Sequence, residues 1–133
     1  MPFVVSRVLA AAAVVLMITG CADARGAAAG AAASVFSAEL ASNDFASACA
    51  LLAPATRERL EHGGTCAQAL AGRRLPAGAP STQLTSQVWG DRALVRTRSD
   101  TVFLQRSSTG WKVTAAGCAA RGEAPYDCEL EGP

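Results

Sequence analysis

The apolar residues of this 133-residue chain follow two rhythms, and the rhythm changes at one place. Up to Ala71 the large apolar side chains recur at helical spacing. Beyond the Gly- and Pro-bearing stretch Gly72–Pro80 they alternate. A period of 3.6 lets a helix bury one stripe, and a period of two lets a strand bury one face. Helices gathered at one end of the chain and strands at the other specify an α+β fold. The length suits one domain, at roughly 100–200 residues per domain. The expectation is N-terminal helices packed on a curved antiparallel sheet of about four strands.

The helical half divides at its breakers. Phe36 and Leu40, with Ala33 before them, form one stripe, so a helix is expected over Ala31–Ser42. Ser42-Asn43-Asp44 interrupts it and offers Asp44 as an N-cap. Phe45, Cys49 and Leu52 lie on one face of a second helix, Asp44–Leu52, which Pro54 stops. A third runs over Thr56–Glu61 and ends at Gly63-Gly64; Thr65 then caps a turn carrying Cys66 and Leu70. The alternating half predicts strands at Gln83–Trp89, Arg92–Arg98, Thr101–Arg106 and Trp111–Ala116, joined by connections short enough for a meander. Strict alternation places Trp111, Val113 and Ala115 on one face. The tail after Cys118, with Gly122 and Pro125, is expected to be irregular.

The first twenty residues read as an address. Arg7 precedes Val8–Ile18, eleven apolar residues without a charge. That run fits the hydrophobic region of a secretory signal and falls short of the about 20 residues a spanning helix needs. Ile18-Thr19-Gly20-Cys21 follows, and it resembles the lipobox of bacterial lipoproteins. The resemblance implies cleavage before Cys21 and a diacylglycerol, with palmitate-like chains, on its thiol. Residues 1–20 are then a signal peptide, 21–30 a flexible Ala- and Gly-rich tether, and 31–133 the domain. Location at the extracytoplasmic face of the cell membrane follows, with the lipid anchor holding the chain there.

Four cysteines remain: Cys49, Cys66, Cys118 and Cys128. An exported chain meets an oxidising compartment, where an even cysteine count reads as disulfides. Three pairings are possible. The simplest is local, Cys49–Cys66 and Cys118–Cys128, each worth roughly 3 kcal/mol in the chain-entropy model. Such bridges matter because thirty of the residues are alanine and bulky apolar side chains are few. No two cysteines stand at zinc-ligand or C-x-x-C spacing, so neither a metal nor a redox pair is expected. The formal charge is +1, and the chain from Cys21 onward is balanced at eleven basic and eleven acidic residues, so no overall field steers it toward nucleic acid, anionic lipid or cationic substrates.

The segments Asp44–Glu61, Cys66 and Gly110-Trp-Lys-Val-Thr-Ala-Ala-Gly-Cys118 resemble small actinobacterial lipoproteins of NTF2-like, or cystatin-like, fold. The resemblance covers Ala31–Cys118 and implies helices packed into the concave face of a bent sheet around a conical pocket. It carries no catalytic motif onto this chain.

Chemistry is sparse residue by residue. His62, the single histidine, stands at a helix end beside Gly63-Gly64. Asp44 has a capping role, and Glu58 and Glu61 share a solvated face with Arg57 and Arg59. No G-x-S-x-G elbow or phosphate loop is present. Arg92, Arg96, Arg98 and Arg106 fit the polar outer face of a half-exposed sheet. Trp89, Phe103 and Trp111 are the large side chains available to a pocket, with Trp111 better suited to the core. The expectation is a non-catalytic domain without a cofactor that binds a small molecule, an envelope component or a partner protein. The alternatives are a small isomerase-, dehydratase- or cyclase-like pocket enzyme and a structural envelope-assembly lipoprotein.

Overall fold

The computed structural model describes residues 24–78 and 84–132. The signal segment 1–20 and the acylation site Cys21 lie outside the described residues. Residues 24–41 form helix α1. Three short helices follow: α2 (Phe45–Ala50), α3 (Pro54–Glu61) and α4 (Cys66–Ala71). Five strands complete the order: β1 (Thr85–Trp89), β2 (Arg92–Arg96), β3 (Thr101–Ser107), β4 (Gly110–Arg121) and β5 (Ala124–Leu130). They form one antiparallel meander, β1-β2-β3-β4-β5. No described helix is long and apolar enough to cross a membrane.

The helices end where local chemistry stops them. The Asp44 carboxylate accepts from the Ser47 amide and hydroxyl, capping α2 and holding its own ionisation below the usual carboxylate range, the hydroxyl contact contributing most. Pro54 opens α3, where its missing N–H costs nothing. Thr65 and Gln68 form a reciprocal capping box on α4. Helices of six residues are far below the ~12–15 that hold alone in water, so α2 and α4 depend on what ties them. The Cys49–Cys66 disulfide joins the two, with both cysteines buried.

One face of the sheet meets the helices. Ala93 and Val95 of β2, Val102 and Leu104 of β3, Trp111 and Val113 of β4, and Leu130 of β5 join Ala29, Ala33, Phe36, Leu40, Leu52 and Leu70 in a single core. Phe36, Leu70 and Leu104 are fully buried, each such side chain contributing about 1.5–3 kcal/mol relative to exposure. Leu51–Ala53 hydrogen-bond to Val113 as a short parallel bridge, which pins the α2–α3 junction to β4.

Four expectations are corrected. The helix begins by residue 24 rather than 31, and Ala29 is already in the core, so most of the expected tether belongs to the folded body. Alanine propensity outweighs Gly26 and Gly30, whose missing side chains let α1 approach Ser86 and Leu84 of the sheet. The tail is a fifth strand, so the sheet has five strands rather than four: Tyr126, Cys128 and Leu130 alternate, and Cys118 pairs directly with Cys128. Ala115 leaves the face of Trp111 and Val113, because the register skips Thr114: Leu104 pairs with Val113 but Phe103 with Ala115. Ala116 takes the core position instead.

Candidate functional site

Each strand that sends one residue into the core sends the next to the opposite face. On that far face Arg92, Leu94, Phe103, Gln105 and Ala115 stand in register across β2, β3 and β4. The bulge at Thr114 and the left-handed Gly117 then turn β4, which changes partner from β3 to β5. The β5 arm thereby carries Tyr126 over the sheet. Its ring meets Phe103 edge-on, with centroids 5.2 Å apart and planes at 77°, and its hydroxyl accepts from Arg96 Nη2 at 2.8 Å. Because the phenol oxygen receives that bond, its own proton is free to donate elsewhere.

The result is an open cavity of about 690 Å³. Trp89, Phe103 and Tyr126 supply its aromatic walls; Arg92, Gln105 and Glu131 are its polar groups; Ala53–Thr56 at the start of α3 and Gly132 close one side. The Thr56 hydroxyl, fully buried, donates to the Thr114 carbonyl at 3.0 Å and fastens α3 beneath the bulge. Arg92 makes a long ion pair with Asp91, 3.8 Å, and half of its side chain is exposed.

Of the expected pocket residues, the structure brings Trp89 and Phe103 to the cavity. Trp111 does not join them there and takes the core place the sequence favoured for it: it is 9% exposed, on the helix-covered face. Its parity with Val113 sends it there, one face away from Phe103. The sequence reading missed Tyr126, although the alternation Tyr126-x-Cys128-x-Leu130 was the available signal. His62 is exposed at the end of α3. Asp100, outside the cavity, receives the amides of Thr101 and Gly117; burial raises its ionisation above the usual carboxylate range, and those hydrogen bonds, with one from the Cys118 amide, only partly oppose the rise.

The lining offers stacking surface and a few hydrogen-bonding groups. Among the described residues it contains no histidine and no free thiol, since its Cys128 is bridged to Cys118. Among the described residues no three His, Cys, Asp or Glu side chains gather to hold a metal. No protein-family model, curated protein or solved structure matches the chain.

Proposed function

We propose that this chain is a lipid-anchored extracytoplasmic domain that binds a small, partly aromatic or apolar molecule in the sheet-face cavity and does not transform it. The observation that carries the reading is the cavity itself, with Trp89, Phe103 and Tyr126 around a few polar groups and no nucleophile–base pair. The anchor rests on the charge-free run Val8–Ile18 followed by Ile18-Thr19-Gly20-Cys21. The two disulfides agree with an oxidising compartment.

A reduced NTF2-like ancestry is part of the proposal, supported by helices preceding a meander with a kinked long strand. This chain departs from that pattern in placing its cavity on the sheet face opposite the core, with only the start of α3 at its side.

The test is intact mass spectrometry of the chain expressed in a bacterial host with its own signal and extracted in mild detergent. The expected product starts at Cys21, carries a diacylglycerol and lacks four hydrogens for two disulfides. Native spectra should show an adduct that denaturation releases and that Phe103→Ala diminishes. An unprocessed chain refutes the anchor, and a cavity that takes up no member of an aromatic fragment library refutes the binding role.

A further inference from the structure

Trp89 and Arg92, which wall the cavity, stand at the end of the sheet toward which the start of α1 points, and that end has its own chemistry. Two residues separate Cys21 from the helix at residue 24. Gly26 already packs on Ser86, where a Cβ would lie 3.5 Å from the serine Cβ. Three extended links at roughly 3.6 Å and two helical steps at roughly 1.5 Å give about 14 Å of reach between Cys21 and the folded body. An acyl group on Cys21 therefore holds the domain against the bilayer rather than on a leash.

The direction of α1 decides which end faces the lipid. Gly26 meets Ser86 alone, whereas Gly30 meets both Ser86 and Leu84, the residue before β1, so the helix advances toward the start of that strand. Further on, Ser37 Oγ donates to the Gly78 carbonyl, and Gly78 lies beside Ser99 in the β2–β3 turn. The helix thus points its start toward the sheet end that carries the β1–β2 turn, with Gly26 level with Ser86, three residues before Trp89. In a meander the β3–β4 turn, at Ser108-Thr109, lies at that same end.

This end carries Trp89, half exposed, with the exposed Arg25, Arg92 and Arg106; Asp91 is the acid paired with Arg92, and Glu131 lines the same cavity as Trp89 and Arg92. A half-exposed tryptophan among arginines matches the composition that membrane interfaces select, with the indole at headgroup depth and guanidinium groups on phosphates. The geometry points to this sheet end, Trp89 with Arg25, Arg92 and Arg106, as a docking surface for an anionic phospholipid bilayer. The inference rests on acylation of Cys21 as proposed above. Docking sets the Trp89–Arg92 wall of the cavity at the headgroup level, so a ligand enters from the interface rather than from bulk water.

The experiment uses the detergent-extracted, full processed chain reconstituted into phosphatidylcholine vesicles with and without phosphatidylglycerol, some lipids being brominated near the headgroup end of their chains. Trp89 should be quenched at least about twofold more than the remaining tryptophan of a Trp89→Phe variant, since Trp111 is buried. Quenching should rise with phosphatidylglycerol in the wild type and not in Arg92→Gln/Arg106→Gln, a pair of exposed changes whose folding is checked by near-ultraviolet circular dichroism. A mass showing acylated Cys21 with Trp89 unquenched overturns the docking surface and leaves the anchor standing. A mass showing unmodified Cys21 overturns both.

Discussion

Breaking the Cys49–Cys66 bridge by the double substitution Cys49→Ala/Cys66→Ala should cost about 4 kcal/mol. The bridge spans a separation of 17 residues, and at that length the chain-entropy model assigns about 3.1 kcal/mol to the constraint on the unfolded state. Both cysteines are 3% exposed, so the lost sulfurs also leave a void; roughly 40 Å³ at about 24 cal/mol per Å³ adds about 1 kcal/mol. The two helices it joins are six residues each and have little stability of their own. A domain with about 5–15 kcal/mol in hand would lose much of its margin. The assay is urea unfolding at neutral pH followed by far-ultraviolet circular dichroism, with both slope and midpoint fitted for wild type and variant. The companion Cys118→Ala/Cys128→Ala, spanning 10 residues on the hairpin, should lose about 2.7 kcal/mol. A loss under about 1 kcal/mol for the helix pair at unchanged slope, or a larger loss for the hairpin pair, would refute the reasoning.

Three further outcomes follow. Trp111→Ala should destabilise by about 3–5 kcal/mol, whereas Trp89→Ala should stay within about 0.5 kcal/mol, because one ring is in the core and the other half exposed; equal effects in urea titrations would contradict the face assignment. Gly117→Ala should cost about 1–3 kcal/mol, since its φ of +66° is left-handed and a Cβ would meet Glu129 Cβ at 3.0 Å; a neutral result by thermal unfolding would show that the β4 bend relaxes freely. Asp100 has a raised folded-state pKa, so the native state binds its proton more tightly than the unfolded chain does, and stability falls as pH rises from about 3.8 through the raised value. The stability of the wild type relative to Asp100→Asn should therefore decline across that window, and a difference that stays flat or grows would reverse the assigned cause.

Much of the architecture was legible because each helix start and strand turn is written locally. Asp44 and Thr65 cap where their hydroxyl- or carboxylate-bearing side chains precede a helical stripe. Gly90-Asp91 and Ser108-Thr109 fall between alternating runs. The candidate site was half legible. Trp89 and Phe103 announced themselves by size and Trp111 was weighted toward the core, but the face each strand residue takes depends on a register that composition does not contain. Tyr126 was hidden by the reading of Gly122 and Pro125 as signs of irregular chain, when Gly122 only turns a hairpin, with φ at +64°.

The sequence alone determined the α+β order and the positions of the helix caps and short turns, and it made the local cysteine pairing the simplest of three. These depend on interactions between residues close along the chain, where spacing sets geometry. Tertiary structure decided the fifth strand, the switch of Ala115 and Ala116 across the sheet, and the meeting of Tyr126 with Phe103 and Arg96. All three hang on one extra residue at Thr114 and one left-handed glycine at Gly117, which turn the second half of β4 onto a new partner. Pairing partners distant in sequence are chosen by packing of the whole sheet against α1 to α4, and no local pattern encodes that choice.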